Sequence, residues 1–120
     1  MNKVVMLSLL AAVMLTGCVS SEVRSFADNS EWAEMGNWDA SHGYQKRSVE
    51  ELEKLGAKDK VAQSDYMDAY KKGIDVYCNP MNGYAVGIKG LPYTGVCSDR
   101  KDGWIFYENY QSGLESGSVF

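Results

Sequence analysis

The chain has one histidine, two prolines and three cysteines among 120 residues, and no apolar run of membrane-spanning length. A single histidine leaves little for acid–base or metal chemistry, which draws on clusters of titratable groups. Three cysteines are too few for a multi-bridge miniprotein and lack zinc-site spacing. Positive charge is scarce too: 12 Lys and Arg stand against 16 Asp and Glu, a formal net charge of −4. No basic stripe occurs, so a nucleic-acid partner held through its phosphates is not expected. This length gives room for one small domain and none for a multi-domain enzyme.

What is present begins at the N-terminus. Lys3 supplies a short positive segment, and Val4–Leu15 is an apolar run of twelve residues. As a helix it would span about 18 Å against a hydrocarbon core of roughly 30 Å, which fits a secretory signal peptide and no membrane anchor. Leu15-Thr16-Gly17-Cys18 follows and resembles the lipobox of bacterial lipoproteins. That resemblance implies cleavage after Gly17, a diacylglycerol on the Cys18 sulfur and acylation of the new amino group. Several acyl chains, at about 0.8 kcal/mol per buried methylene, anchor almost permanently. Val19, where an Asp would signal retention, implies by the same resemblance the outer membrane, facing the periplasm. Residues 1–17 are thus expected to be removed. Residues 18–29 are mostly small or polar and are expected to form a lipidated tether, its eleven residues after Cys18 reaching at most about 36–40 Å. Without Lys3 the processed chain carries 11 − 16 = −5, spread along its length as solvated surface.

Residues 30–120 read as a small all-α domain. Ser30 precedes the acids Glu31 and Glu34, an N-cap with a favourable first turn, and Trp32, Gly36, Ala40 and Gly43 share one face. A helix from Glu31 to about His42, stopped by Gly43, follows. Ser48 and Glu51 form a capping box for a short second helix through Leu52 and Leu55 to Gly56. A third is expected from Ser64-Asp65, with Tyr66, Tyr70, Ile74 and Tyr77 as its apolar stripe. Asn79-Pro80 predicts a fourth, to about Lys89 with Gly90 as its stop. The alternative is an α+β domain, with a hairpin turned at Asn82-Gly83 and Tyr84–Ile88 as a strand. The last helix, Trp104–Leu114, has Asp102 placed to cap it and Phe106, Tyr110 and Leu114 along one side.

A Tyr-x-x-Gly-aliphatic pattern recurs at Tyr70–Ile74, Tyr84–Ile88 and Tyr110–Leu114. A mid-helix glycine costs about 1 kcal/mol relative to alanine, so three at matching places predict close helix–helix approach, each tyrosine ring covering a neighbour's glycine. Their unequal intervals exclude a solenoid. Once Cys18 is lipidated, Cys78 and Cys97 remain; in an oxidising compartment they are expected to pair. A loop of that length stabilises by about 3 kcal/mol in the chain-entropy model.

The motifs Trp32-x3-Gly36-x2-Asp39-Ala40-x2-Gly43, Tyr70-x2-Gly73, Tyr77-Cys78-Asn79-Pro80, Asn82-Gly83-Tyr84, Gly87-x2-Gly90 and Tyr93-x-Gly95-Val96-Cys97 together resemble a family of short Gram-negative lipoproteins, the domain-of-unknown-function 2799 family. The likeness spans nearly all of Trp32–Gly113. Many members carry a second cysteine pair, before the tryptophan and near Leu52–Leu55, and this chain lacks both. The resemblance implies a secreted lipoprotein fold and brings no activity, cofactor or ligand.

The nearest catalytic constellation is Asp39 and His42, three residues apart on one helix face. Against it stands the reading of Asp39 as a structural acid and His42 as a solvated side chain. No nucleotide loop, calcium loop or hydrolase motif occurs. The expectation is therefore a non-enzymatic module, without metal or cofactor, anchored to the membrane through Cys18 and contacting an envelope protein. Trp38, Tyr44, Tyr93 and Trp104 are its candidate contact residues. The rival is a cell-wall glycan or small ligand on an aromatic shelf of Tyr84, Tyr93 and Trp104.

Overall fold

A computed structural model describes residues 19–118. The segment expected to be a signal peptide, and Cys18, lie outside the described residues. Six helices and no strand are found among those described: α1 Ser21–Asp28, α2 Trp32–Ser41, α3 Val49–Leu55, α4 Lys60–Tyr77, α5 Pro80–Ile88 and α6 Gly103–Gly117. The domain is all-α, and the hairpin alternative is overturned because Asn79 caps α5 through the Met81 amide with Pro80 in its first turn.

Local chemistry sets most helix ends. The Ser48 hydroxyl accepts from the Glu51 amide to open α3, and Gly43, Gly56 and Gly90 take positive φ to close α2, α3 and α5. Three expected starts are corrected. Helix α4 begins at Lys60, where the Asp59 carboxylate accepts from the Ala62 amide, so it has an extra turn carrying buried Ala62. Ser30 does not cap α2; it adopts φ +55 in the tight turn that follows α1. Asp102 stands at the start of α6 without a capping bond from its side chain. The expected tether is also corrected. Residues 21–28 are helical, Ser20 caps them, Val23 is fully buried, and Val19, Phe26 and Ala27 pack against the core.

The architecture is one helix pair built twice. Helix α2 packs on α4, and α5 packs on α6. In the first pair Gly36 and Ala40 face Tyr66, Tyr70 and Gly73, with Gly43 at the helix end; in the second, Gly83 and Gly87 stand opposite Phe106, Tyr110 and Gly113, with Gly90 at the helix end. The spacings match residue for residue. Both α2 and α5 end in the same turn: Gly43 N–H donates to Ala40 and Tyr44 N–H to Asp39, as Gly90 does to Gly87 and Leu91 to Val86. The Tyr70 hydroxyl donates to the Tyr44 carbonyl at 2.7 Å, and Tyr110 to that of Leu91 at 2.9 Å. The Tyr-x-x-Gly expectation is therefore revised. Tyr70 and Tyr110 are true counterparts, whereas Tyr84 lies on the facing helix of the second pair. No aromatic ring covers the three glycines of that pattern: the Tyr110 carbonyl lies over Gly87, the Tyr84 carbonyl over Gly113, and the Ala40 methyl over Gly73.

The pairs join at one seam. Tyr77 meets Phe106 with ring centroids 5.4 Å apart, Thr94 Oγ1 donates to the Gly43 carbonyl at 2.7 Å, and the Cys78–Cys97 disulfide links the end of α4 to the loop before α6.

Candidate functional site

The last turn of α2 and the residues after it gather three rings. Trp38, one turn before His42, brings its ring centroid to 4.1 Å from the imidazole; Tyr44 lies 5.6 Å from His42, nearly parallel, and 5.5 Å from Trp38. His42 Nδ1 stands 2.7 Å from the Trp38 carbonyl oxygen, so that nitrogen carries the proton. Tyr44 is held behind the positive-φ Gly43 by the bond from Tyr70 to its carbonyl. His42 and Tyr44 are exposed and Trp38 is half-buried, which makes this corner a rigid aromatic rim.

Two of the four expected contact residues, Trp38 and Tyr44, are thus brought together. Tyr93 is not with them. It packs among Phe106, Tyr107 and Tyr110, and its hydroxyl accepts from the Cys97 amide, a support for the disulfide loop. Trp104 is 64% exposed at the start of α6 and stacks on no other ring among the described residues. Tyr84, Tyr93 and Trp104 do not form one shelf.

Asp39 and His42 share no hydrogen bond and have separate partners. Asp39 is 1% exposed and faces inward, where it accepts from Arg47 at 2.8 and 3.2 Å and from the Tyr66 hydroxyl at 2.7 Å. The Arg47 amide donates to the same hydroxyl, which closes a network pinning the α2–α3 loop onto α4. His42 points to solvent on the other side of that turn. Sequence reasoning missed Arg47, whose role depends on the chain doubling back after Gly43. Among the described residues no three His, Cys, Asp or Glu side chains are grouped as a metal site, and no helix is long and apolar enough to cross a membrane.

Burial raises the hydroxyl pKa of Tyr66, Tyr70 and Tyr77 above the ordinary tyrosine range, with the nearby Asp39 charge adding to it at Tyr66 and Tyr70. The folded state favours the neutral phenol, so the contribution is fully present below the unfolded value near pH 10 and is lost as pH climbs toward the raised values. Stability should therefore fall as pH rises above that unfolded value. A chemical-denaturation midpoint that falls steeply between about pH 10 and 12 is expected; a flat one would contradict burial of these hydroxyls.

Fold and site define a small disulfide-linked, all-α domain with an aromatic rim at one end of a duplicated helix pair. The chain belongs to the family described as Protein of unknown function (DUF2799), whose model matches residues 31–115. Comparison with curated proteins and with solved structures finds no match.

Proposed function

We propose that this chain is a non-enzymatic binding module, anchored by lipid on Cys18 in the outer membrane and facing the periplasm, that holds an envelope partner through its aromatic rim. The observation that carries this reading is the Trp38–His42–Tyr44 cluster, exposed yet fixed by a closed helix end. Large rings that are already ordered lose little entropy on binding, and Trp and Tyr dominate the energetics of interfaces. The positive segment, apolar run and lipobox-like Leu15–Cys18 support the anchor. With Val19 packed and Ser20 capping α1, an anchored domain stands directly on the membrane surface and cannot swing on a long tether.

The test is in-cell crosslinking of the full lipidated chain with mass identification of what it captures. One stoichiometric envelope protein is expected, lost in Cys18→Ala and reduced at least tenfold in Trp38→Ala/Tyr44→Ala. Undiminished capture by the double variant would remove the rim from the interface. Tyr93 is left out of the set because truncating it would disturb the disulfide loop.

A further inference from the structure

Beside the rim, between the two helix pairs, lies a cleft of about 340 Å³. Tyr44 forms one lip; Val86 and Tyr77 floor it; Asn82, Lys89 and Pro92 complete it from the second pair. None of its ten lining residues is acidic, in a chain with more acids than bases. A shallower groove that shares Ser41, Tyr77 and Asn82 with it adds Lys72 and again no acid. The local charge is positive where the overall charge is negative.

The second observation concerns Tyr77. Its side chain is only 6% exposed, and its hydroxyl end lies against Gly43, between the two cleft residues His42 and Tyr44. Its counterparts in the interior are all satisfied: Tyr66 bonds Asp39, Tyr70 bonds the Tyr44 carbonyl and Tyr110 the Leu91 carbonyl. The Tyr77 hydroxyl makes no hydrogen bond to another described residue, and because no buried side-chain oxygen or nitrogen among them is left unpaired, it must reach solvent, which it does on the side of the cleft it lines. A phenol O–H that opens into a cavity without a protein acceptor is free to donate to an incoming one.

We infer that this cleft binds a small carboxylate-bearing sugar, its ring lying on Tyr44 and its carboxylate taken by Lys89 and the Tyr77 hydroxyl. The volume suits one substituted sugar ring, near the lower end of small-ligand sites. The flat Tyr44 face matches the C–H face of a pyranose, and Val86 and Pro92 receive its apolar substituents. The ammonium and the phenol are both donors, the complement of a carboxylate. The inference does not rest on the anchor or on a protein partner, and its test needs neither.

The experiment titrates N-acetylmuramic acid into the isotope-labelled full-length chain in detergent micelles, following amide resonances. N-acetylglucosamine, the same ring without the carboxylate, and lactate, the acid without the ring, serve as comparisons. Saturable shifts at the cleft are expected with a Kd of about 0.1–1 mM, and at least about tenfold weaker binding of either fragment. Tyr77→Phe removes an atom that bonds nothing within the fold, so it should stay folded while weakening the acid about tenfold; Lys89→Met should do the same, and salt should weaken the acid and not the neutral sugar. No saturable shift at about 10 mM ligand overturns the site. Equal binding of the neutral sugar, or unchanged binding by both variants, overturns the assigned ligand chemistry. Partner capture in cells reads Trp38 and Tyr44 and is unaffected by Tyr77→Phe, so the two proposals fail separately.

Discussion

Gly87→Val should leave the domain largely unfolded at physiological temperature, and Gly87→Ala should already lose about 3 kcal/mol. Helix propensity predicts the opposite sign, since alanine in place of a helical glycine gains about 1 kcal/mol. Packing overrides it here. A Cβ at Gly87 would overlap the Tyr110 carbonyl oxygen and lie 2.9 Å from the Leu114 amide nitrogen and 3.0 Å from Gly113 Cα. All three are backbone atoms, so no side chain can turn aside; α5 and α6 must separate. Separation would also pull Gly113 away from Tyr84 and Ile88, because the contact is reciprocal. Valine adds two methyls to that overlap and should cost more than about 4 kcal/mol, most of the stability of a marginal domain. Gly90→Ala is the informative contrast: a Cβ there meets nothing, and only the positive φ resists it, at about 1 kcal/mol. Urea unfolding of the three variants tests the order. A Gly87→Ala protein as stable as the parent would mean the helices are not in backbone contact.

Why some of this was legible in the sequence follows from range. Ser48, Asn79 and the glycines at 43, 56 and 90 act on their own turn, so their residue types announced helix ends correctly. The true start of α4 was hidden because Lys58-Asp59-Lys60 looks like solvated loop, and only Ala62 extends the apolar stripe upstream of Tyr66. Helix α1 offers Val23 and Phe26 in a polar setting, too little for a stripe, and is held by the core it touches. The duplicated pair was present as spacing, Gly36-x3-Ala40-x2-Gly43 against Gly83-x3-Gly87-x2-Gly90. It was obscured because Tyr84-x-x-Gly87 imitates the pattern of the opposite helix. The cleft had no signal of its own. Its walls come from residues 41–44, 77 and 82–94, which only the seam between pairs brings together.

The duplication carries the second large prediction, because the two pairs solve one packing position differently. Where the first has Asp39 bonded to Tyr66, the second has buried Val86 and Phe106 at the matching positions, an apolar pair in place of a hydrogen-bonded one. Asp39→Ala should cost about 4 kcal/mol: it strands the Tyr66 hydroxyl, releases Arg47 and opens a cavity. Asp39→Val/Tyr66→Phe copies the second pair and removes both polar partners together; the Arg47 side chain, 23% exposed, can reach water, and the part-buried Arg47 amide that loses the phenol acceptor must do the same. Replacing a buried polar pair by apolar residues of similar volume is often neutral, so the double variant should recover most of the loss. Asp39→Val and Tyr66→Phe should then show a coupling of about 2 kcal/mol in a double-mutant cycle. If the double variant stays as unstable as Asp39→Ala, the network does more than fill its position. The hold on the Gly43–Arg47 loop, and with it the setting of Tyr44, would then depend on the carboxylate itself.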